Sequence, residues 1–282
     1  MKRHLDSRSI APGWINLLAL AAISLSRFAV ADQLIAYEGF AYDKGQSLEG
    51  AKGGIGWKGE WFGPKGVTGL TITETGMSFA NLSVTGGKSL QAGTDARLFR
   101  YLDVDRPEVA QLVENGASGK TFGKDGTTIW ISFLISCTSY PKLAYGGMHL
   151  MDGVHLGPDY KKTQRIQLGR QNMGTHWLLC RTDQGGPAAG KWDGTVTSDQ
   201  TVRLLVYRFD FKPGAEEGWM WVDPQPGQAP DTSKADLHAP SIADFRFNAV
   251  NVGSGGGATF DFDELRIGDS FMVVAPTRDS GK

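Results

Sequence analysis

The sequence predicts an all-β fold, an antiparallel sandwich with at most one or two short helices. Three observations predict it. Runs of strand length recur along the chain, separated by clusters of Gly, Pro, Asp and Asn. Glycine supplies 38 of the 282 residues, about twice its usual share and without a collagen period, which suits a chain of many turns and short strands. Third, residues 259–271 read as a closing strand whose alternation changes phase midway. Phe260 and Phe262 are apolar on one parity, Leu265 and Ile267 on the other. A strand shows its two faces at period two, so this change requires a bend or bulge at Asp263 and Glu264.

Residues 34–40 open the strand series, and 45–66 read as a glycine-rich loop holding Trp57 and Trp61. Residues 68–73, 77–84, 89–91 and 96–102 read as strands. The one helical candidate is 106–115, where Pro107 suits a first turn and Val109, Leu112 and Val113 share a face. The clearest strand is 127–137. Ile129, Ile131, Phe133, Ile135 and Cys137 form its apolar face, and Trp130, Ser132, Leu134 and Ser136 its other face. Residues 202–211 are apolar on both faces, as in a central strand. Strands at 219–222 and 245–252 complete the set. Residues 223–240, with Pro224, Pro226, Pro230 and Pro240, read as a long surface loop.

The composition, 40% hydrophobic and 21% charged, is that of a folded domain with a sizeable core. The N-terminus has the pattern of a secretory signal: basic Lys2, Arg3 and Arg8, an apolar stretch at 15–25, and Ala29-Val30-Ala31 before Asp32. The expected organisation is a signal peptide at 1–31, one domain at 32–276 and a flexible polar tail at 277–282. No later segment is long and apolar enough to span a bilayer. The expected location is extracellular, cell-surface or periplasmic. The net charge is −1, and 1–31 carry four basic residues against Asp6, so the remainder carries −4. That balance excludes a nucleic-acid binder, which needs a basic face. Export makes a disulfide between Cys137 and Cys180 chemically available; the alternative is two buried thiols acting as small hydrophobes.

Several segments resemble one family together. They are Glu38-Gly-Phe-Ala-Tyr-Asp43, Gly53-Gly-Ile-Gly-Trp57, residues 123–133, Gly147-Met-His-Leu-Met-Asp-Gly153, residues 204–211, Trp221-Val-Asp-Pro224 and the closing strand. In that order they resemble the concanavalin A-like lectin/glucanase superfamily (laminin-G-like), in the variety found in uncharacterised exported bacterial proteins. The resemblance implies a jelly roll of two curved antiparallel sheets. It also implies a concave face that in relatives often binds carbohydrate and in some acts on polysaccharide. A structural calcium linking the chain's two ends is a further implication, with Glu38 and Asp263 at the two ends of that seam.

The glucanases of this fold carry Glu-x-Asp-x-x-Glu on one strand, which sets two carboxylates about 5–5.5 Å apart. No glutamate here begins that pattern. Asp261, Asp263 and Glu264 are the nearest cluster; the expectation is that Asp263 accepts backbone hydrogens at the bulge and Glu264 points to solvent. Gln167, His176 and Tyr207 are the residue types a lyase would need, without that family's local motifs. His149 and His155 flank Asp152-Gly153, which reads as a two-residue hairpin turn. That turn sets the two imidazoles on opposite faces and excludes a shared zinc. Gly253 to Gly257 precede a strand and read as a turn. Trp130, sharing its parity with two serines, is the best candidate for stacking on a sugar ring. Arg165, Gln167 and Arg181 are expected to line the same concave face. Three readings stay open: a non-catalytic domain binding a polysaccharide or glycoconjugate, a polysaccharide hydrolase or lyase, and a structural or adhesive surface protein.

Overall fold

The computed structural model describes residues 32–66, 68–93, 95–116, 118–139, 143–156, 162–171, 174–182 and 190–278. The signal segment and the last four residues of the tail lie outside them. The strands in chain order begin with β1 (Leu34–Glu38), β2 (Trp57–Phe62), β3 (Leu70–Ile72), β4 (Leu90–Ala92) and β5 (Arg97–Leu102). There follow β6 (Val113–Gly116), β7 (Gly119–Phe122), β8 (Thr128–Ser139), β9 (Tyr145–Met151), β10 (Gln164–Arg170) and β11 (His176–Arg181). The series ends with β12 (Lys191–Thr197), β13 (Arg203–Asp210), β14 (Glu217–Val222), β15 (Leu237–Ala239), β16 (Ala249–Gly255) and β17 (Thr259–Gly268). One α-helical turn, α1 (Phe271–Val274), follows β17.

The strands form two large antiparallel sheets, so the all-β sandwich class expected from the sequence is the fold observed. The eight-stranded sheet runs β15-β14-β13-β8-β17-β4-β3, with β1 also paired to β17. The seven-stranded sheet runs β12-β11-β10-β9-β16-β5-β2, and β6 and β7 make a separate hairpin. Alternation decides the packing. Ile129, Ile131, Phe133 and Ile135 of β8 and Leu205, Tyr207 and Phe209 of β13 meet Met148, Leu150, Ile166, Leu168, Leu179, Val250 and Val252 of the other sheet in one core. Burial of this apolar area is the main stabilising term.

The bulge read from the phase change lies at the predicted place. Along the β17–β8 pairing, Asp263 faces Leu134 and Arg266 faces Ser132, three steps on one strand against two on the other. Glu264 takes φ 54° to make the turn. Phe260, Phe262, Leu265 and Ile267 thereby all reach the same core. Asp263 accepts the amide hydrogens of Met77 and Glu264, each at 2.8 Å. Glu264 departs from expectation. It is buried and accepts from Thr85 N at 2.7 Å and Tyr37 OH at 3.1 Å, beside the Arg266 guanidinium. The left-handed turn swings its side chain onto β1 instead of toward water.

A second buried ionic group lies at the end of β1. Glu38 accepts from Phe40 N, Tyr42 OH, Trp61 Nε1 and Arg100 Nη1 at 2.8–3.1 Å. Arg100 also donates to Gly59 O and lies between the Trp57 and Trp61 rings, at 5.3 and 5.7 Å from their centroids.

Five local readings need correction. Residues 106–115 form no α-helix: a 3-10 turn covers Pro107–Leu112, and Val113 then extends to pair with Phe122. The loop read at 45–66 contains β2, and that at 223–240 contains a 3-10 turn and β15. Residues 77–84 are irregular chain laid over the outer face of the eight-stranded sheet. There Met77 and Leu82, with Phe271, Val274 and Ala275, cover Trp130, Leu134, Leu204, Val206 and Trp221. The tail is held past its expected start, since Thr277 bridges Leu82 and Arg278 N donates to Asn81 O.

Breaking one partner of a buried ion pair leaves an uncompensated charge, so Arg100→Met is expected to cost about 3–5 kcal/mol. Asp263→Ala strands two amide hydrogens at the bulge and is expected to cost about 1–3 kcal/mol. Urea unfolding checks both; wild-type midpoints would contradict the assigned roles.

Candidate functional site

The outer face of the seven-stranded sheet concentrates the polar side chains that the core does not use. Strand register arranges them in rows crossing the strands. One row reads Lys191, Cys180, Gln167, His149, Asn251, Phe99 and Phe62. The next reads Asp193, Leu178, Gly169, Gly147, Gly253 and Arg97. Three neighbouring strands therefore carry glycine side by side. Gly147 and Gly169 have φ of 140° and 123°. A Cβ on Gly147 would lie 2.0 Å from Leu168 O and one on Gly253 2.3 Å from Ala96 O, so the backbone requires glycine at both. The result is a strip of sheet with no side chains beside a strip of amides and imidazole.

The margins are aromatic. Tyr145, two residues before Gly147 and on the same parity, lies across Gly255. At the β2–β5 end, Phe62 and Tyr101 stack with centroids 5.7 Å apart and planes at 17°, packed on Phe99, Met151 and Ala249.

His149 is held in one state. Asn251 Nδ2 donates to Leu98 O at 3.1 Å, so its Oδ1 is the acceptor facing His149 Nδ1, also at 3.1 Å. Nδ1 therefore carries the hydrogen, and Nε2 is an acceptor. Burial pushes the His149 pKa down to about 4, helped by the Arg97 charge and opposed by the Asn251 hydrogen bond. Gln167 Nε2 donates to Arg170 O at 2.9 Å. Arg165 donates to Lys162 O and Asp152, and Lys191 pairs with Asp193 at 2.9 Å. Five side-chain oxygens among the described residues are buried without a hydrogen-bond partner: Gln171 Oε1, Asp152 Oδ1, Thr182 Oγ1, Thr121 Oγ1 and Ser270 Oγ.

The residues expected to share one face are divided. Gln167 lies at the centre of the polar row. Arg165, the extra residue where the β9–β10 register shifts, stands at its border, paired to Asp152. Arg181 pairs with core-facing Ile166, on the opposite parity to Gln167. Trp130 is on the other sheet and buried. It stacks on Trp221 at 5.5 Å, meets Phe271 edge-on at 5.6 Å, and is roofed by the Arg208 guanidinium. Even parity pointed Trp130 out of the core correctly; the C-terminal segment covers that side.

The other candidates resolve in the same way. Cys137 and Cys180 are both free and buried. Cys137 faces the core from one sheet and Cys180 faces outward on the other, so of the two readings the structure has the pair of buried thiols and not the disulfide. Burial pushes both thiols up to about 11. Glu38 and Asp263 are each surrounded by hydrogen donors, the opposite of the oxygen cage calcium takes. Among the described residues no cluster of three His, Cys, Asp or Glu has metal-binding geometry. Asp152-Gly153 is no two-residue turn, because β10 begins at Gln164; His155 is exposed in the intervening segment, away from His149. Tyr207 is in the core, accepting from Gly169 N and donating to Leu178 O, so Gln167, His176 and Tyr207 share no face. Asp261 bonds Gln91 on the eight-stranded sheet.

No family model matches the chain, and no curated protein is similar to it in sequence. Its structure is similar to the T. cruzi calreticulin globular domain, with 11% identity, a TM-score of 0.48, and coverage of 84% of this chain and 88% of that one. It is also similar to domain 4 of the extracellular GH43 arabinanase AbnA from Geobacillus stearothermophilus, seen with arabinotriose, at 13% identity and TM-score 0.37, covering 86% and 97%. A third is the sialidase of Trypanosoma rangeli, at 9% identity and TM-score 0.42, of which the match covers 32%. These likenesses assign neither ligand nor activity.

The depressed pKa of His149 means that the folded state binds its proton less readily than the unfolded chain, whose value is ordinary. Its contribution to stability is present above pH 6.5 and is lost as pH falls toward 4, up to about 3 kcal/mol by pH 4. His149→Gln is expected to flatten the acid limb of the stability profile between those values. An unchanged acid limb would contradict the assigned protonation state.

Proposed function

We propose that the chain is an exported, non-catalytic jelly-roll domain of the concanavalin A-like kind that binds carbohydrate on the outer face of the seven-stranded sheet. One observation carries this reading: the row Gln167, His149 and Asn251 runs beside the side-chain-free row Gly169, Gly147 and Gly253, between aromatic margins. Sugar hydroxyls both donate and accept, so neutral amides and a neutral imidazole match them without the desolvation cost of bare charges. Tyr145 and the Phe62–Tyr101 pair offer flat apolar surface for the C–H faces of a sugar ring. The glycine strip lets a ring approach the backbone closely.

Two features support binding over hydrolysis. The chain lacks Glu-x-Asp-x-x-Glu. Asp193 on the edge strand β12 and Asp152 at the end of the central strand β9 have β11 and β10 between them, and each is held by a basic neighbour. A retaining pair would stand about 5–5.5 Å apart. Export rests on the n-region, apolar stretch and Ala-x-Ala pattern of residues 1–31.

A glycan array probed with the mature secreted chain tests the reading. At least one neutral glycan is expected to bind, and Gln167→Ala is expected to weaken it by about 2- to 10-fold, the loss of one neutral hydrogen bond. Empty arrays, or affinity indifferent to both Gln167→Ala and His149→Ala, would overturn it. Released oligosaccharide products would favour the enzyme reading instead.

A further inference from the structure

His149 is the middle residue of the polar row, opposed by Gln167 of β10 and Asn251 of β16. It is half-buried, and Gly147, two residues before it and on the same parity, opens the bare strip beside it. Its one hydrogen is already used, because Asn251 Oδ1 takes it at Nδ1. The reverse orientation of that amide would set Oδ1 against Leu98 O, oxygen against oxygen, so the backbone fixes the tautomer. Nε2 has no hydrogen-bond partner among the described residues and is not one of the buried unpaired atoms, so it has surface that a ligand can reach. The unpaired oxygens of Gln171, Asp152 and Thr182 are closed off from any ligand. His149 therefore offers a ligand an acceptor and no donor. Gln167 has the same polarity: its Nε2 is turned to Arg170 O, and Oε1 is the end left open.

We infer that His149 is the specificity-determining residue of the site, with Nε2 accepting the hydrogen of one hydroxyl of a neutral sugar. This rests on the glycan-binding reading above and deepens it: the sugar is recognised there as a donor. An ether or a fluorine in place of that hydroxyl has no hydrogen to give and leaves Nε2 unpaired. An ammonium has hydrogens, but Arg97 stands in the adjacent row and its charge reaches His149. A cationic amino sugar is thus repelled where a hydroxyl is not. Protonation of Nε2 turns the acceptor into a donor and abolishes the contact. Charged groups approach His149 on this face from β5 (Arg97), from the β9–β10 border (Asp152 and Arg165) and from β12 (Lys191 and Asp193), and β16 brings none. Burial, helped by the Arg97 charge, keeps the imidazole neutral down to about pH 4. The acceptor therefore persists through the neutral and mildly acid range.

The test uses the mature chain, a panel of neutral gluco-, manno-, galacto- and xylo-oligosaccharides, and mono-deoxy, deoxyfluoro and amino derivatives of the tightest binder, measured by calorimetry. At one hydroxyl position the deoxy and deoxyfluoro derivatives are both expected to bind about 2- to 10-fold more weakly than the parent, the loss of one neutral hydrogen bond. The amino derivative at that position is expected to bind more weakly than the parent as well. Wild-type affinity should be flat from about pH 7.5 to about pH 5.5 and fall about 2-fold by pH 4, where half of the free sites carry the protonated imidazole. His149→Leu, without the acceptor, should lose both the distinction between parent and deoxyfluoro derivative and the fall in acid. Parent-like affinity of the deoxyfluoro derivative at every position would mean that the protein donates, and would overturn the inference without any variant having to fold. A His149→Leu protein that keeps the distinction, or wild-type affinity unchanged at pH 4, would overturn it as well. If wild type binds no member of the panel, the glycan-binding reading itself fails; binding with the deoxyfluoro series at parent affinity defeats the His149 assignment alone.

Discussion

The structure depends on the extra residue in β17. Without it, a strand that starts with Phe260 and Phe262 toward the core would turn Leu265 and Ile267 outward. With it, one strand changes edge partner from β4 to β1 while keeping all four side chains inside. The turn leaves amide hydrogens unpaired beside β8, and Asp263 accepts them. It also throws Glu264 onto Tyr37 of β1, with Arg266 as its counter-charge and Arg266 over the Tyr37 ring at 4.8 Å. At the end of β1 the same solution recurs with Glu38, Arg100 and two indoles. The two ends of the chain are thus sewn together by carboxylates whose oxygens the protein's own donors fill. A cation would have to displace those donors to enter, which is the physical objection to a calcium seam here.

This seam also decides which face of the sandwich stays open. The segment after β17 cannot continue the sheet, so α1 folds back over the eight-stranded sheet, where Ser132 Oγ donates to Val274 O. Residues 77–84, tethered by Met77 N to Asp263, cover the neighbouring area. Trp130, Trp221 and Val206 lie under this layer. The groups left uncovered on the eight-stranded sheet are paired with one another, Trp219 with His238 and Arg208 with Asp210, whereas the seven-stranded sheet keeps an open polar and aromatic surface. The packing therefore leaves open the face on which the proposed site lies.

Much of this was legible in the sequence, and the failures share causes. The phase change at Phe262 and Leu265 located the bulge because period-two alternation is a strong, local signal. The same alternation put Trp130 and Gln167 outside the core correctly. Parity could not say that β8 and β10 belong to different sheets, so Trp130 and Gln167 seemed neighbours when they face opposite ways. Nor could it reveal the layer over Trp130, which depends on contacts more than 140 residues apart, as between Ser132 and Val274. Residues 106–115 had an apolar helical spacing, yet the demand of Val113 for a partner strand won. The turn after His149 was misread for a similar reason: Asp152-Gly153 is a strong turn signal, and the chain instead runs on to Gln164 before returning. The pairing of His149 with Asn251, 102 residues away, left no local mark.

The glycine row carries a physical cost. Gly147, Gly169 and Gly253 sit where a Cβ would strike the backbone of the next strand, so strand approach is tight at the place where the sheet surface is barest. Glycine in a strand interior weakens it, through chain entropy and lost packing. A protein that keeps three abreast sacrifices stability locally. Such losses persist where another process recovers them. At the seam, by contrast, the carboxylates of Glu38, Asp263 and Glu264 are filled by internal donors. Within one chain, the seam is built of carboxylates saturated by internal donors, and the open face carries a strip of sheet without side chains, which is the strip the proposed carbohydrate site uses.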